Sequence, residues 1–311
     1  MPTPPAVHRL GGVACIVLAL ICFGALDTTS KVAAALAPVG LALWVRYLVQ
    51  TLATAAILWP RQRLQLLHSR RPLLQGLRAV LLVSCNGIAF VSLAHMHVGE
   101  FSAIVMLTPL LLTVVAARVL REPVSWLRWA CLLGGFGGTL LVLRPGRELF
   151  QPAMLLPLVL VLANTGFQLV TSALAKADAP GTIHFYSGLG GLALTSLGLP
   201  LAWQALPLGS WGVLLLMAAF GACGHFLLIM AYARTPVAIL TPYLYLQIGF
   251  GALGGWIVFS HVPDGPALAG IGLICVCGVY GTWLTGREII ARSRQEAEQS
   301  SIAAIAGADE H

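Results

Sequence analysis

Charge is what this sequence has least of. Only 9% of its 311 residues are Asp, Glu, Lys or Arg, while 58% are hydrophobic and the mean hydropathy is +0.88. A water-soluble domain carries about 25% charged residues because its surface faces solvent. The composition therefore excludes an ordinary globular protein and makes the lipid bilayer the partner. Catalytic motifs are missing too. There is no Walker loop, so the chain does not itself hydrolyse ATP. No His-Glu-x-x-His or Gly-x-Ser-x-Gly occurs, and a single carboxylate lies deep in any apolar run, which speaks against an enzyme. The seven cysteines form no Cys-x-x-Cys pair and no zinc spacing, and they read as small apolar filler; no cofactor is expected. The net charge of +7 does not point to nucleic acid, because the basic residues are spread over the ends of hydrophobic runs.

What remains is apolar runs. A spanning helix needs about 20 mostly apolar residues, and the chain offers ten such runs, near 11–35, 39–59, 73–94, 100–119, 125–143, 153–175, 181–203, 209–233, 237–259 and 266–285. The expected fold is all-α and membrane-embedded. The first run has the flanks of a signal peptide, but nine more follow it, so an uncleaved first helix is expected. With a cytoplasmic amino terminus, fourteen Lys and Arg fall on inside segments and three, Lys31, Arg144 and Arg147, on outside ones; Arg46 lies within a span. That bias puts both termini in the cytoplasm. Trp59, Trp126, Trp129, Trp203, Trp211 and Trp283 stand at span ends, as interfacial anchors do.

One motif occurs twice. Ala103-Ile104-Val105-Met106-Leu107-Thr108-Pro109-Leu110 and Ala238-Ile239-Leu240-Thr241-Pro242-Tyr243-Leu244 place Thr-Pro in the fourth span of each half, 133 residues apart. Five spans per half is an odd number, so two similar halves insert with opposite orientation. The expected organisation is a first five-helix repeat over 1–150, a second over 151–286 and a polar cytoplasmic tail over 287–311.

At these residues the chain resembles the EamA-type branch of the drug/metabolite transporter superfamily. The resemblance runs from span one to span ten. It is carried by Leu107-Thr108-Pro109-Leu110, Arg121-Glu122-Pro123-Val124-Ser125-Trp126 and Gly137-Gly138-Thr139 through Arg144-Pro145-Gly146. In the second half it continues with Ala231-Tyr232-Ala233-Arg234, Thr241-Pro242-Tyr243-Leu244-Tyr245-Leu246-Gln247 and Val262-Pro263-Asp264. The resemblance implies ten helices, an inside amino terminus and small organic cargo moved by a secondary mechanism, amino acids, aromatic ones among them, being carried by some relatives. One departure is His261, where the family usually has an acidic residue.

An ionisable residue inside a span is costly and is a functional candidate for that reason. Asp27 and Arg46 sit at similar depth on adjacent antiparallel helices, and Lys31, four residues after Asp27, competes as partner. The three form either a structural ion pair or a gate. Uncharged polar groups at mid-span are candidates for binding cargo: Asn86, Asn164, Gln168, His225, Tyr243, Tyr245 and Gln247. Interhelical hydrogen bonding is the competing use of each. Asn164 with Gln168, and Tyr243 with Gln247, share helix faces. His225 is also a proton-carrier candidate, and His184 reads as interfacial. Pro109 and Pro242 should kink their helices, whether for movement or for packing. His95, His97 and Glu100 offer three potential metal ligands but read as polar caps, so no metal is expected. Gly249-x-Gly251-x-x-Gly254 is no dinucleotide loop, since no strand precedes it. Gly134-x-x-x-Gly138 suits close helix packing.

The sequence and the resemblance together predict a secondary transporter of small organic solutes working by alternating access, an exporter of amino acids, aromatic ones among them, or of related solutes, in a bacterial inner membrane. A passive channel or facilitator is the alternative, although no filter loop is evident. The small-residue faces serve internal packing and self-association equally, which leaves the oligomeric state open.

Overall fold

The computed structural model describes residues 6–62, 66–119, 126–143, 152–175, 177–235, 240, 243–281, 283, 284 and 287. Among the described residues there are helices and turns and no strand. The helices are α1 (Ala6–Ala34), α2 (Val39–Gln62), α3 (Pro72–His95), α4 (Val98–Val105), α5 (Thr108–Val119), α6 (Trp126–Leu143), α7 (Leu156–Ala175), α8 (Pro180–Ala202), α9 (Leu208–Arg234), α10 (Leu246–Phe259) and α11 (Gly265–Gly281). A 3-10 turn, Pro152–Leu155, leads into α7. Among the described residues six helices, α1, α2, α3, α7, α8 and α9, are long and apolar enough to cross a membrane, and the other five are shorter. Pro242 and the polar tail after Arg287 lie outside the described residues.

Local chemistry sets several boundaries. Pro72 and Pro180 open α3 and α8 at positions where the missing N–H costs nothing. The run 100–119, expected as one helix, is two. The Leu107 amide turns back to the Ile104 carbonyl at 3.0 Å, and Pro109 enters as the second residue of α5. A proline there would remove a bond from a continuous helix and clash with the preceding turn, so the chain restarts the helix instead of bending it. At the other end of the pair, α10 stops at Ser260, which adopts a left-handed conformation with φ 52°. Its amide bonds the Trp256 carbonyl at 2.9 Å, and the His261 amide bonds that of Gly255 at 3.2 Å, which folds His261 back over the helix end.

Burial is inverted relative to a soluble protein. Leu201 is 96% and Leu208 90% exposed, whereas Arg46 is 4% and Arg78 0% exposed. An apolar exterior, with charged groups drawn into the interior, is what a bilayer solvent selects. Arg78, read from the sequence as a cytoplasmic flanking charge, is a fully buried residue of α3. The interior pairs helices from opposite ends of the chain: α1 with α9, α3 with α7, α2 with α8 and α4 with α10, then α1 with α10, α4 with α7, α2 with α9 and α3 with α8. Exchanging α1, α2, α3 and α4 for α7, α8, α9 and α10 leaves that set of pairings unchanged.

One polar knot ties the loops. Asp178, between α7 and α8, accepts hydrogen bonds from Ser69 Oγ at 2.5 Å, the Arg70 amide at 2.9 Å and Gln75 Nε2 at 2.8 Å. Burial raises its carboxyl, but these three donors and the Arg70 charge more than offset it, so it ends below the ordinary value of 3.8. A depressed carboxylate stabilises the fold above that ordinary value and loses the contribution as pH falls below it. The partly exposed site limits this to about 1 kcal/mol or less. Asp178→Asn should therefore unfold at lower temperature than wild type at neutral pH, with the gap closing below about pH 4. A gap that stays constant across that range in detergent melts would show that the carboxylate charge plays no part in the knot.

Candidate functional site

A cavity lies between the two sets of helices. Its polar wall is Asp27 from α1, Asn86 from α3, Asn164 and Gln168 from α7, His225 and Tyr232 from α9, and Gln247 from α10. The rest of the wall is apolar, with Phe23, Phe101, Phe167 and Pro109 among it. Five of the seven uncharged residues singled out from the sequence therefore meet in one space. They do so because each lies on the inward face of its helix. Asn164 and Gln168 are one turn apart on α7, and His225 and Tyr232 two turns apart on α9.

The wall residues are held by one another. Asn86 Nδ2 donates to Tyr47 Oη at 2.6 Å, Tyr232 Oη donates to Gln168 Oε1 at 3.2 Å, and Gln247 Nε2 donates to Asp27 Oδ2 at 3.1 Å. Asn164 Nδ2 points at Thr108 Oγ1 from 3.5 Å, a long contact. His225 is gripped edge-on by Phe23 and Phe167, with ring centroids 5.0 and 6.0 Å away, and its Nδ1 has no partner. Tyr243 and Tyr245 are not in this wall. Tyr245 packs toward α11, where a Cβ on Gly278 would sit 2.0 Å from its ring. Tyr245, two residues before Gln247, is turned by about 200° from it on any helix, whereas Tyr243, four before, lies ahead of the start of α10 at Leu246, across which helical spacing does not extend.

The charged trio differs from its sequence reading. Asp27 and Arg46 are both buried, yet no ion pair within 4.0 Å joins them; the carboxylate takes Gln247 instead. Lys31 does not reach Asp27. Its Nζ donates to the Leu93 and Met96 carbonyls at 3.0 and 2.6 Å and lies 5.6 Å from the Phe259 ring centre, fastening α1 to the end of α3. Arg46 lies flat against Gly221 of α9, and its Nε and Nη2 have no partner. Arg78 donates from Nε to Thr171 Oγ1 at 2.9 Å and from Nη1 to Ser187 Oγ, and lies 4.7 Å from the Phe167 ring centre; its Nη2 has none.

Two further histidine sites depart from expectation. His184 is buried, not interfacial, with Nδ1 2.7 Å from Thr54 Oγ1 and Nε2 3.0 Å from the Ala222 carbonyl. His97 and His261 stack with centroids 3.4 Å apart, and Glu100 approaches both, at 3.5 and 3.7 Å. Burial and then the neighbouring His97 lower His261 below the ordinary histidine value, against the pull of Glu100. The potential ligand atoms of these three lie within 4.8 Å of one another. Among the described residues the trio is one short of a closed tetrahedral set. His95 is not part of it, since its Nδ1 sits 2.8 Å from the Val91 carbonyl on the exposed side of α3. The position where the resemblance led one to expect a carboxylate thus holds an imidazole set against Glu100.

Sequence reasoning missed Tyr232 and Arg78. Tyr232 follows His225 by seven residues, a spacing that keeps it on the same face and could have found it. Arg78 lies inside the apolar run 73–94, but topology counting assigns any arginine near a span end to the adjoining loop.

Comparison with known proteins gives a family match, several relatives and a solved structure of similar fold. Residues 10–144 match the EamA-like transporter family. The chain is 31% identical over 189 residues to a riboflavin transporter of Vibrio cholerae, covering 59% of this chain and 62% of that protein; the chain thus spans less than two thirds of that relative's length. It is 25% identical to an S-adenosylmethionine uptake transporter of Rickettsia bellii, over 67% of this chain and 72% of the relative. A pseudopaline exporter of Pseudomonas aeruginosa is 26% identical over 85% of this chain and 93% of that one. A solved crystal structure superposes with a TM-score of 0.63, covering 90% of this chain and 99% of the other at 19% identity, a likeness that bears on the fold alone. All three relatives are named as transporters or exporters, and six helices of this chain are long and apolar enough to cross a membrane.

Proposed function

We propose that this protein is a secondary transporter that carries a small organic metabolite across the membrane by alternating access. The carrying observation is the cavity, whose polar wall draws Asp27 and Asn86 from the first half and Asn164, Gln168, His225, Tyr232 and Gln247 from the second. A space walled by both halves opens to either side when one half rocks against the other. The exchange-invariant helix pairing supports two five-helix repeats, 1–150 and 151–286, in opposite orientation, with both termini and the tail over 287–311 in the cytoplasm. The break between α4 and α5 at Pro109 supports a moving element beside the cavity, since a half-helix pivots where a continuous one does not.

The cargo is a small polar solute with an apolar or ring-bearing part. Aromatic side chains at Phe23, Phe101 and Phe167 supply the apolar wall, and amides and hydroxyls supply orientation. The relatives' riboflavin, S-adenosylmethionine and pseudopaline widen the field beyond the amino-acid export suggested by sequence motifs, and a bacterial inner membrane is the setting in keeping with them. The test is counterflow in proteoliposomes loaded in turn with riboflavin, S-adenosylmethionine and a panel of amino acids, with and without a pH gradient. Labelled solute should accumulate transiently against its own gradient for one class of cargo. Leak that is not stimulated by solute on the opposite side marks a channel, and uptake of none by verified folded protein refutes the carrier.

A further inference from the structure

We infer that the cargo presents an anionic oxygen group, a carboxylate or phosphate, and that the guanidinium of Arg46 at Gly221 is the subsite that takes it. The inference deepens the carrier reading above and rests on it.

Charge balance is the first observation. Among the described residues, three full charges are deeply buried within the helices: Asp27 at 8%, Arg46 at 4% and Arg78 at 0% exposure. One carboxylate faces two guanidiniums. His184 and His225 are also buried and offer no negative charge. Tyr47, whose Oη accepts from Asn86, is the remaining titratable neighbour and is neutral as a phenol. Lys31 is already spent on carbonyl oxygens at the end of α3. A positive charge left without a counter-ion in the membrane interior is strongly disfavoured unless something else brings the negative one.

The second observation is which donors are idle. Nε and Nη2 of Arg46 are buried without a partner, and these two N–H groups form one edge of the planar fork, the edge that accepts two carboxylate or phosphate oxygens side by side. The guanidinium lies against Gly221, where a Cβ would come 2.8 Å from Nε, 3.1 Å from Cζ and 3.2 Å from Nη2, so only glycine lets it lie there. One helical turn further along α9 is His225, which lines the cavity with Nδ1 also unpartnered. Arg78 holds a third idle donor, Nη2, and its guanidinium lies 4.7 Å from the centre of the Phe167 ring that His225 also meets edge-on. The idle donors of Arg46 and Arg78 are complementary to an oxyanion.

The probe is a set of three molecules of one shape: benzoate, benzamide and benzamidine, carrying negative, zero and positive charge on the same ring. Purified full-length protein is melted in neutral detergent free of anionic lipid, so that a lipid headgroup cannot supply the anion. Benzoate should raise the unfolding temperature saturably, at concentrations roughly a hundredfold below those at which benzamide acts. Arg46→Gln should abolish the benzoate effect, Arg46→Lys should keep a weakened one, and Gly221→Ala should remove it while leaving the charge in place. Equal stabilisation by benzamide or benzamidine overturns the proposal, as does an undiminished benzoate effect in Arg46→Gln. Should Arg46→Gln not fold, the wild-type series and Arg46→Lys decide alone. Charge-selective binding without flux in proteoliposomes sinks the carrier reading and leaves the anion site standing. Flux of a neutral solute with no preference for benzoate does the reverse.

Discussion

Asp27→Asn inserts and folds, and its counterflow drops by roughly tenfold or more. The substitution keeps the size of the side chain and an oxygen able to accept from Gln247 Nε2, which now lies 3.1 Å from Oδ2, so the α1–α10 contact survives. What is lost is the negative charge that stands against Arg46 and Arg78 in the interior. If Asp27 were only a brace between two helices, an amide would serve as well and flux would persist. If its charge is exchanged with that of the cargo during the cycle, the amide stalls the cycle with the fold intact. Initial counterflow rates, normalised to protein recovered in the liposomes and paired with a detergent melt, separate the two. Wild-type flux in Asp27→Asn removes the carboxylate from the mechanism.

Gly270→Leu prevents the protein from reaching its folded state, and Gly270→Ala lowers its stability by about 1–3 kcal/mol. The reason is a crossing of two backbones. A Cβ on Gly270 of α11 would lie 2.5 Å from the Gly138 carbonyl oxygen of α6, and one on Gly138 would lie 2.7 Å from that of Gly270. Neither obstacle is a side chain that can turn away, so the helices themselves must separate, and the contact between them goes with the separation. Gly272→Ala is the internal control, since a Cβ there meets nothing within 4 Å. It should be neutral or slightly stabilising, as alanine favours helix over glycine. Matching melts for Gly270→Ala and Gly272→Ala would dispose of the close crossing.

These two positions divide what could be read in the chain from what could not. Gly138 was legible: small residues four apart in an apolar run mark a face that another helix approaches, and the spacing is local. The partner, Gly270, was not, because nothing in residues near 270 encodes which of the other helices it will meet. Asp27 divides the same way. Its depth, the cost of burying it and its claim to a functional role all follow from its place in a long apolar run. Arg46 was expected opposite it on depth alone. Depth ignores rotation, and each residue advances about 100° around a helix. Arg46 turns toward Gly221 of α9, while Asp27 turns toward Gln247 of α10.

The cavity wall repeats the lesson. Asn164 and Gln168 share a face because they share one uninterrupted helix, so i and i+4 spacing held for them. Tyr243 and Gln247 have the same spacing, but the helix that carries Gln247 begins at Leu246, and the periodicity does not reach across its start. His261 shows a subtler limit. Its neighbours Glu100 and His97 are far away in the chain, and the left-handed turn at Ser260 that brings them together uses a residue whose sequence gives no such sign.

The sequence by itself therefore determined the solvent, the helical class and most helix ends, because hydropathy, proline and glycine act within a few residues of where they stand. It also determined that buried charge would matter. Only the tertiary structure decided which charge met which partner, and that two guanidiniums would be left facing one carboxylate. Those outcomes depend on the rotation of each helix about its axis and on the order in which helices cross. Both are fixed by packing among segments far apart in the chain.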